Sequence, residues 1–555
     1  MRLPAVLIFA LALALFPSWQ EEAHHHALTE QEIGSVHFST SCSTALESSF
    51  NDAVALLHSF QYEQARQAFV DISSKDPGCA MAQWGVAMSH YHGLWGNGDP
   101  VAGRNAIHKA EQIAAANPKT TAREVGYIDA LSEIYREGDK NRFADAHAFE
   151  QKMAALQAAY PADDEAAIFH ALTLDIAAPP TDKTFANQRK CGEILEPIFA
   201  KYPHHPGVAH YIIHCYDNPV LARQGLAAAR VYAKIAPASA HANHMPSHIF
   251  TRLGLWDESI SSNLKSAELA AHAEPTSLNG EARDQRLHAM DYLEYAYLQK
   301  GRVKLAKGVL DQMSALQPVA GLTLTGDYAM AAIPARYAME LGDWDQASGL
   351  KVRKEGVPWA QAITWTAIGV GSARSGNLVR ASQAEKTLAS LRDATAKQNN
   401  TYWSSQIEVQ RLEVAAWIAE KSSKGADALS TIRAAAELEE SMNKDAVTPG
   451  AVTPAREMFA QMLYLENHPR QSLAEYQAVL QIAPNRFNAL YGAGCAAEAA
   501  GNTTASHKYF QQLIQVAVGS ERPELLTARK RVVTTKSKGR VTLRGTSRGP
   551  LAATS

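Results

Sequence analysis

The chain has 555 residues, 46% hydrophobic and 20% charged, enough apolar material for a large buried core. Its formal net charge of -3 gives no electrostatic case for a polyanion, so no nucleic-acid partner is expected. Histidine is unevenly placed: of 21 residues, only His468 and His507 lie beyond residue 289.

Taken in chain order, Met1-Arg2 precedes an apolar stretch from Leu3 to Phe16 and then Pro17, the pattern of a secretory signal over residues 1–20. The stretch is too short to span a bilayer, and no later segment has about 18 uninterrupted apolar residues. An exported chain is therefore expected, in the periplasm or outside the cell, with no transmembrane segment once mature. Residues 21–43 read as an N-terminal extension. Its run His24, His25, His26 sits near a free end and is expected to do nothing specific.

Export permits disulfides. Cys42 and Cys79 would each open the first helix of successive units, which places them in adjacent rows. Cys191 and Cys215 are equidistant from Pro203, a turn between antiparallel helices, so they too can face each other. Cys495 is left over. Between these pairs, His90-Tyr91-His92-Gly93-Leu94-Trp95-Gly96-Asn97-Gly98-Asp99-Pro100 is a loop rich in glycine and aromatics. It is expected to be an inter-repeat connection, with a lid over a groove as the alternative.

Prolines then punctuate the chain at Pro77, Pro118, Pro161, Pro203, Pro237, Pro318 and Pro484, each closing a helix. Glycine turns recur at Gly254-Leu255-Trp256, Gly301-Arg302-Val303, Gly342-Asp343-Trp344, Gly376-Asn377-Leu378 and Gly501-Asn502-Thr503. Trp256 and Trp344 should be core wedges at these turns. Pro203 and Pro237 are 34 apart, and so are His210/His244 and His214/His248. These marks resemble the tetratricopeptide repeat family. Tyr62, Ala65, Phe69 and Pro77 carry the likeness in the first unit; Leu490, Gly494, Gly501 and Phe510 carry it in the last. It covers roughly residues 44–517, with irregular stretches at 93–120 and 272–284. It implies an all-α, right-handed α-solenoid of antiparallel helix pairs. The expected organisation is an array over 44–320 carrying the histidines, a second array over 321–520 serving as scaffold, and a basic tail over 521–555 without order.

In that family the concave face is lined by fixed positions of each unit's first helix. The resemblance places His241, His244 and His248 there in the unit beginning near Ala240, His210, His214 and Asp217 in the unit before, and His288 and Asp291 in the unit after. Residues three and four apart share a helical face, so these imidazoles should form stripes on neighbouring helices. The segments His205–Asp217 and His241–Phe250, with His37-Phe38, Cys42, Cys79 and Trp84-Gly85, further resemble a group of exported bacterial tetratricopeptide proteins; this implies a secreted solenoid and names no reaction.

Two functions are expected from this pattern. The first is a module that binds a protein segment, peptide or small ligand in the concave groove, touched by Arg252, His288 and Asp291. The alternative is a metalloprotein, with a metalloenzyme as one form of it, holding zinc, iron or copper on His210, His214, Asp217, His241, His244 and His248. The spacing His210-x-x-x-His214 matches helical zinc sites, but Tyr211 stands where a metalloprotease has its general-base glutamate, so that class is excluded. Pro246 should kink the second stripe or delay its helix past Met245. The sequence has no phosphate-binding glycine loop at a strand–helix junction, no nucleophile elbow and no Cys-x-x-Cys.

Overall fold

The computed structural model describes residues 28–94, 98–136, 142–277, 280–316, 324–445 and 447–543, with the side chains of 142 and 534–543 excepted. The signal segment, the His24–His26 run and the Trp95–Asn97 part of the glycine-rich loop lie outside them. Every regular element among the described residues is a helix, and successive helices pack antiparallel as an α-solenoid. Six of these helices position the histidines: α1 (Glu47–His58), α2 (Asp164–Ile176), α3 (Pro206–Cys215), α4 (Ala240–His244), α5 (Pro246–Leu253) and α6 (Glu281–Gln299); α7 (Leu324–Leu341) packs against α6.

Local chemistry sets these boundaries. Pro206 starts α3 at a position where its missing N–H costs nothing, and the His205 ring accepts the Val208 N–H at 3.3 Å as the cap. Pro246 ends α4 and starts α5. Met245 still bonds back to His241 O at 2.9 Å and has helical φ of -52°, so the axis continues through the break. The proline thus interrupts the hydrogen-bond ladder without turning His244 and His248 apart.

Cysteines pair as Cys42–Cys79 and Cys191–Cys215, with Cα–Cα distances of 4.8 and 6.2 Å; Cys495 is free. Both bridges and the lack of any described helix long and apolar enough to cross a membrane fit an exported protein.

The late repeats do more than extend the early ones. Gly254 ends α5 at φ +65°, where a Cβ would meet the Pro484 carbonyl oxygen at 2.3 Å; glycine serves both the turn and this close approach. Trp256, buried at this turn, donates from Nε1 to Asn485 O at 3.0 Å. Phe487 N bonds Gln299 Oε1 and Glu521 N bonds Gly301 O. Buried Arg486 pairs with Glu340 and Glu457, tying α7 to the C-terminal repeats. The late repeats therefore return onto the early ones. Trp344, by contrast, is only half-buried and lies under the Arg374 guanidinium.

The basic C-terminal segment is also more ordered than its composition suggests. Pro523–Leu543 forms a helix whose Leu525 and Ala528 are buried beside Phe487 and Phe510. Arg522 and Arg531 sit over those two rings, so the charges that predict a solvated tail flank an apolar stripe instead.

Candidate metal centre

The histidine stripes converge. His210 and His214 on α3 meet His241 of α4, and His244 and His248 of α4 and α5 meet His288 of α6. Within each trio, one nitrogen per ring lies within 4.8 Å of the others. His210 Nε2 stands 3.0 Å from His241 Nε2 and 3.1 Å from His214 Nε2. His244 Nε2 and His248 Nε2 are 2.9 Å apart, and the His288 ring centroid is 4.2 Å from that of His244. Both trios follow one rule: two imidazoles four apart along one inner helical path, and a third from the next inner helix.

The trios are also neighbours. His241 and His244, three apart on α4, belong to different trios with ring centroids 6.2 Å apart, and His214 and His248 are 6.1 Å apart.

What fixes the rings is the other nitrogen. His210 Nδ1 donates to His58 O at 2.6 Å. His244 Nδ1 donates to Asn263 Oδ1 at 2.7 Å, the Asn263 amide nitrogen being used on Ser259 O. His248 Nδ1 donates to Asp217 Oδ2 at 2.8 Å. Each of these rings carries its proton on Nδ1, so its Nε2 is a bare lone pair. Two bare nitrogens at 2.9 Å cannot hydrogen-bond to each other. A cation between them makes that spacing favourable.

A proton is poorly suited to that place. All six rings are buried, and burial pushes every one of them below the ordinary histidine range: His210 to about 3, with His214, His241, His244 and His288 well down and His248 held less far by Asp217. They are neutral imidazoles, which is the form a metal takes.

Asp217 follows α3 and sits behind His248. Burial opposes its charge, yet Lys444 at 2.7 Å, His248, and Arg252 at 3.2 Å hold its carboxyl well below the usual range. Asp291 belongs to neither trio and pairs with Arg336, which also reaches Glu294 at 3.3 Å. Arg252 donates to Pro449 O, and Tyr292 OH donates to Thr448 O at 3.1 Å. Lys444, Thr448 and Pro449 thus lie against the inner helices. These late residues cover part of the concave face at the histidines, and His214 stays at the edge of a cavity.

Several parts of the site are invisible to the repeat pattern. Phe60, in the turn after α1, has φ +52° and sets its ring 4.4 Å from His210, 5.6 Å from His214 and 5.5 Å from His241, centroid to centroid. A bulky residue in the left-handed region costs of order 1–3 kcal/mol and persists only where packing holds it. Tyr232 stacks on His210 at 5.1 Å, and Tyr292 packs edge-on to His244 at 4.8 Å. His214 opens onto a cavity of about 1810 Å³ lined by early and late residues, among them Asp217, Asp175, Tyr328, Trp359 and Trp403. Burial and the nearby Asp217 push the Asp175 carboxyl up to about 7.

A third buried cluster joins His58, Glu165 and His205. His58 Nε2 and His205 Nε2 lie 3.0 and 2.8 Å from the two oxygens of Glu165. Its backbone meets the first trio through His58 O.

No family model matches the chain, and no curated protein matches it. Solved structures do resemble it. One is a monomeric mutant of IFIT1 with Gppp-AAAA, at 11% identity over 86% of this chain and 92% of that one, TM-score 0.36. Another is the human IFIT1 dimer with PPP-AAAA, at 12% identity over 78% and 89%, TM-score 0.34. The chemistry of the histidine cluster is read from its own residues.

Proposed function

We propose that this chain is a transition-metal protein whose two tri-histidine clusters are its metal sites. One observation carries the reading: Nε2 atoms of His244 and His248 stand 2.9 Å apart while both Nδ1 atoms are spent on acceptors. Three imidazoles with an open fourth position form a ligand set used by zinc and copper. The Nδ1 partners His58 O, Asn263 and Asp217 would orient the rings from behind. Asp217, in this reading, supports a ligand and is itself occupied by Lys444 and Arg252.

The cavity beside His214 supports a second part of the reading: a small ligand reaches the metal from between the early and late repeats. Metal-free protein dialysed against zinc or copper should take up metal at the trios. His248→Ala and His214→Ala should each lower the uptake with helix content, followed by circular dichroism, unchanged. Uptake that is equal in wild type and in the double variant would remove the reading.

A further inference from the structure

Resting on the metal reading above, we infer that the two trios form one dinuclear copper centre whose small-molecule ligand is dioxygen. Three observations lead there. The first is adjacency. α4 gives His241 to one trio and His244 to the other, and the cross-trio ring distances of 6.2 and 6.1 Å match the 6.4 Å between His214 and His241 inside one trio. Metals so held would be neighbours, the arrangement of a two-metal site.

The second is charge. All six donors are imidazoles, a ligand that binds metal without bringing a negative charge, and no carboxylate belongs to either trio. The Nδ1 partners of His210 and His244 are neutral oxygens. The carboxylate behind His248 already faces Lys444 and Arg252. Two divalent ions would add four uncompensated positive charges to a buried site that holds a lysine and an arginine; two copper(I) ions add half as many. Imidazole suits copper as a ligand.

The third is enclosure. Phe60, Tyr232 and Tyr292 surround the rings, and His214, 7% exposed, is the most accessible of the six. Such a pocket favours a small, uncharged ligand. With one open position per copper(I), dioxygen fits between them. Each copper gives up one electron, and one dioxygen is taken up and reduced by two electrons to the level of peroxide, bound between two copper(II) ions. No proton and no further reductant enter this step.

The test is anaerobic loading of the metal-free full chain with copper(I), followed by oxygen. The expected result is two coppers per chain, one dioxygen consumed per two coppers, an intense near-ultraviolet charge-transfer band, and paired copper(II) without an electron paramagnetic resonance signal. His288→Ala should halve the copper and abolish oxygen uptake. Asn263→Ala keeps all six imidazoles and serves if that variant does not fold: its copper affinity should fall about 10–100-fold. A full-intensity signal from isolated copper(II), one copper per chain, or no oxygen uptake would overturn the inference. Stoichiometric zinc without copper(I) binding would overturn it and leave the metal reading standing; no binding of either ion would remove both.

Discussion

Two kinds of buried histidine cluster lie side by side among the early repeats, and they differ in where their protons go. At Glu165 the count closes. His205 Nδ1 accepts the Val208 N–H, so its Nε2 carries the proton and donates to one carboxylate oxygen. His58 Nδ1 faces the Tyr211 hydroxyl at 2.9 Å, and its Nε2 donates to the other oxygen. Burial opposes the Glu165 charge, but the two imidazoles hold its carboxyl well below the ordinary range. In the His244–His248–His288 trio the count does not close, because two protons point outward and two lone pairs point at each other. Proximity of metal-ligating residues is common to both clusters. The direction of the Nδ1 protons separates a satisfied network from a site shaped for a cation.

Acid should give the largest effect. Each trio histidine has a folded value below its unfolded 6.5, so the unfolded chain binds more protons as pH falls. Stability is therefore present above about 6.5 and is lost downward toward the folded value, about 3 for His210. Each ring contributes about 1.4 kcal/mol per pH unit inside that window. Metal-free protein should lose stability steeply below pH about 6.5 in denaturant titrations, and bound metal should move the loss to lower pH. Coincident acid curves with and without metal would erase the difference between the two clusters.

Next in size is the closed network. Glu165→Gln removes the charge that both imidazoles serve and should cost about 3–5 kcal/mol in denaturant titrations. Metal content should stay as in wild type. A loss of metal with Glu165→Gln would show that the third cluster belongs to the metal centre. Metal itself should add about 4 kcal/mol when present at about a thousand times its dissociation constant. The smallest effect is Asn263→Ala, which weakens metal at the second trio about 10–100-fold, read by competition with a chromophoric chelator. An equal effect on the first trio would mean that the sites are not held separately.

The period of 34 made the stripes His210/His214 and His244/His248 legible, and the helical repeat put His241 and His288 beside them. What repeat spacing cannot show is how each ring is backed. Asn263 comes from the following outer helix, His58 O from α1 and Lys444 from a segment 227 residues beyond Asp217. Glu165 and His58 likewise meet only through packing of α1 against α3 and α2. Phe60 left no sequence signal, because its role depends on a left-handed turn that favours glycine. The return of the late repeats was written faintly in Gly254, whose need for a bare Cα comes from Pro484 as well as from its own turn. The helix from Pro523 was hidden by its arginines, since composition weighs their charge and not the Leu525–Ala528 stripe beneath.

The most direct measurement is anomalous X-ray scattering from crystals of the untagged full chain, grown with copper or zinc and recorded across each metal's absorption edge. Two peaks are predicted, one among His210, His214 and His241 and one among His244, His248 and His288. Empty trios in metal-soaked crystals, or a peak at His58, Glu165 and His205 in their place, would contradict the account.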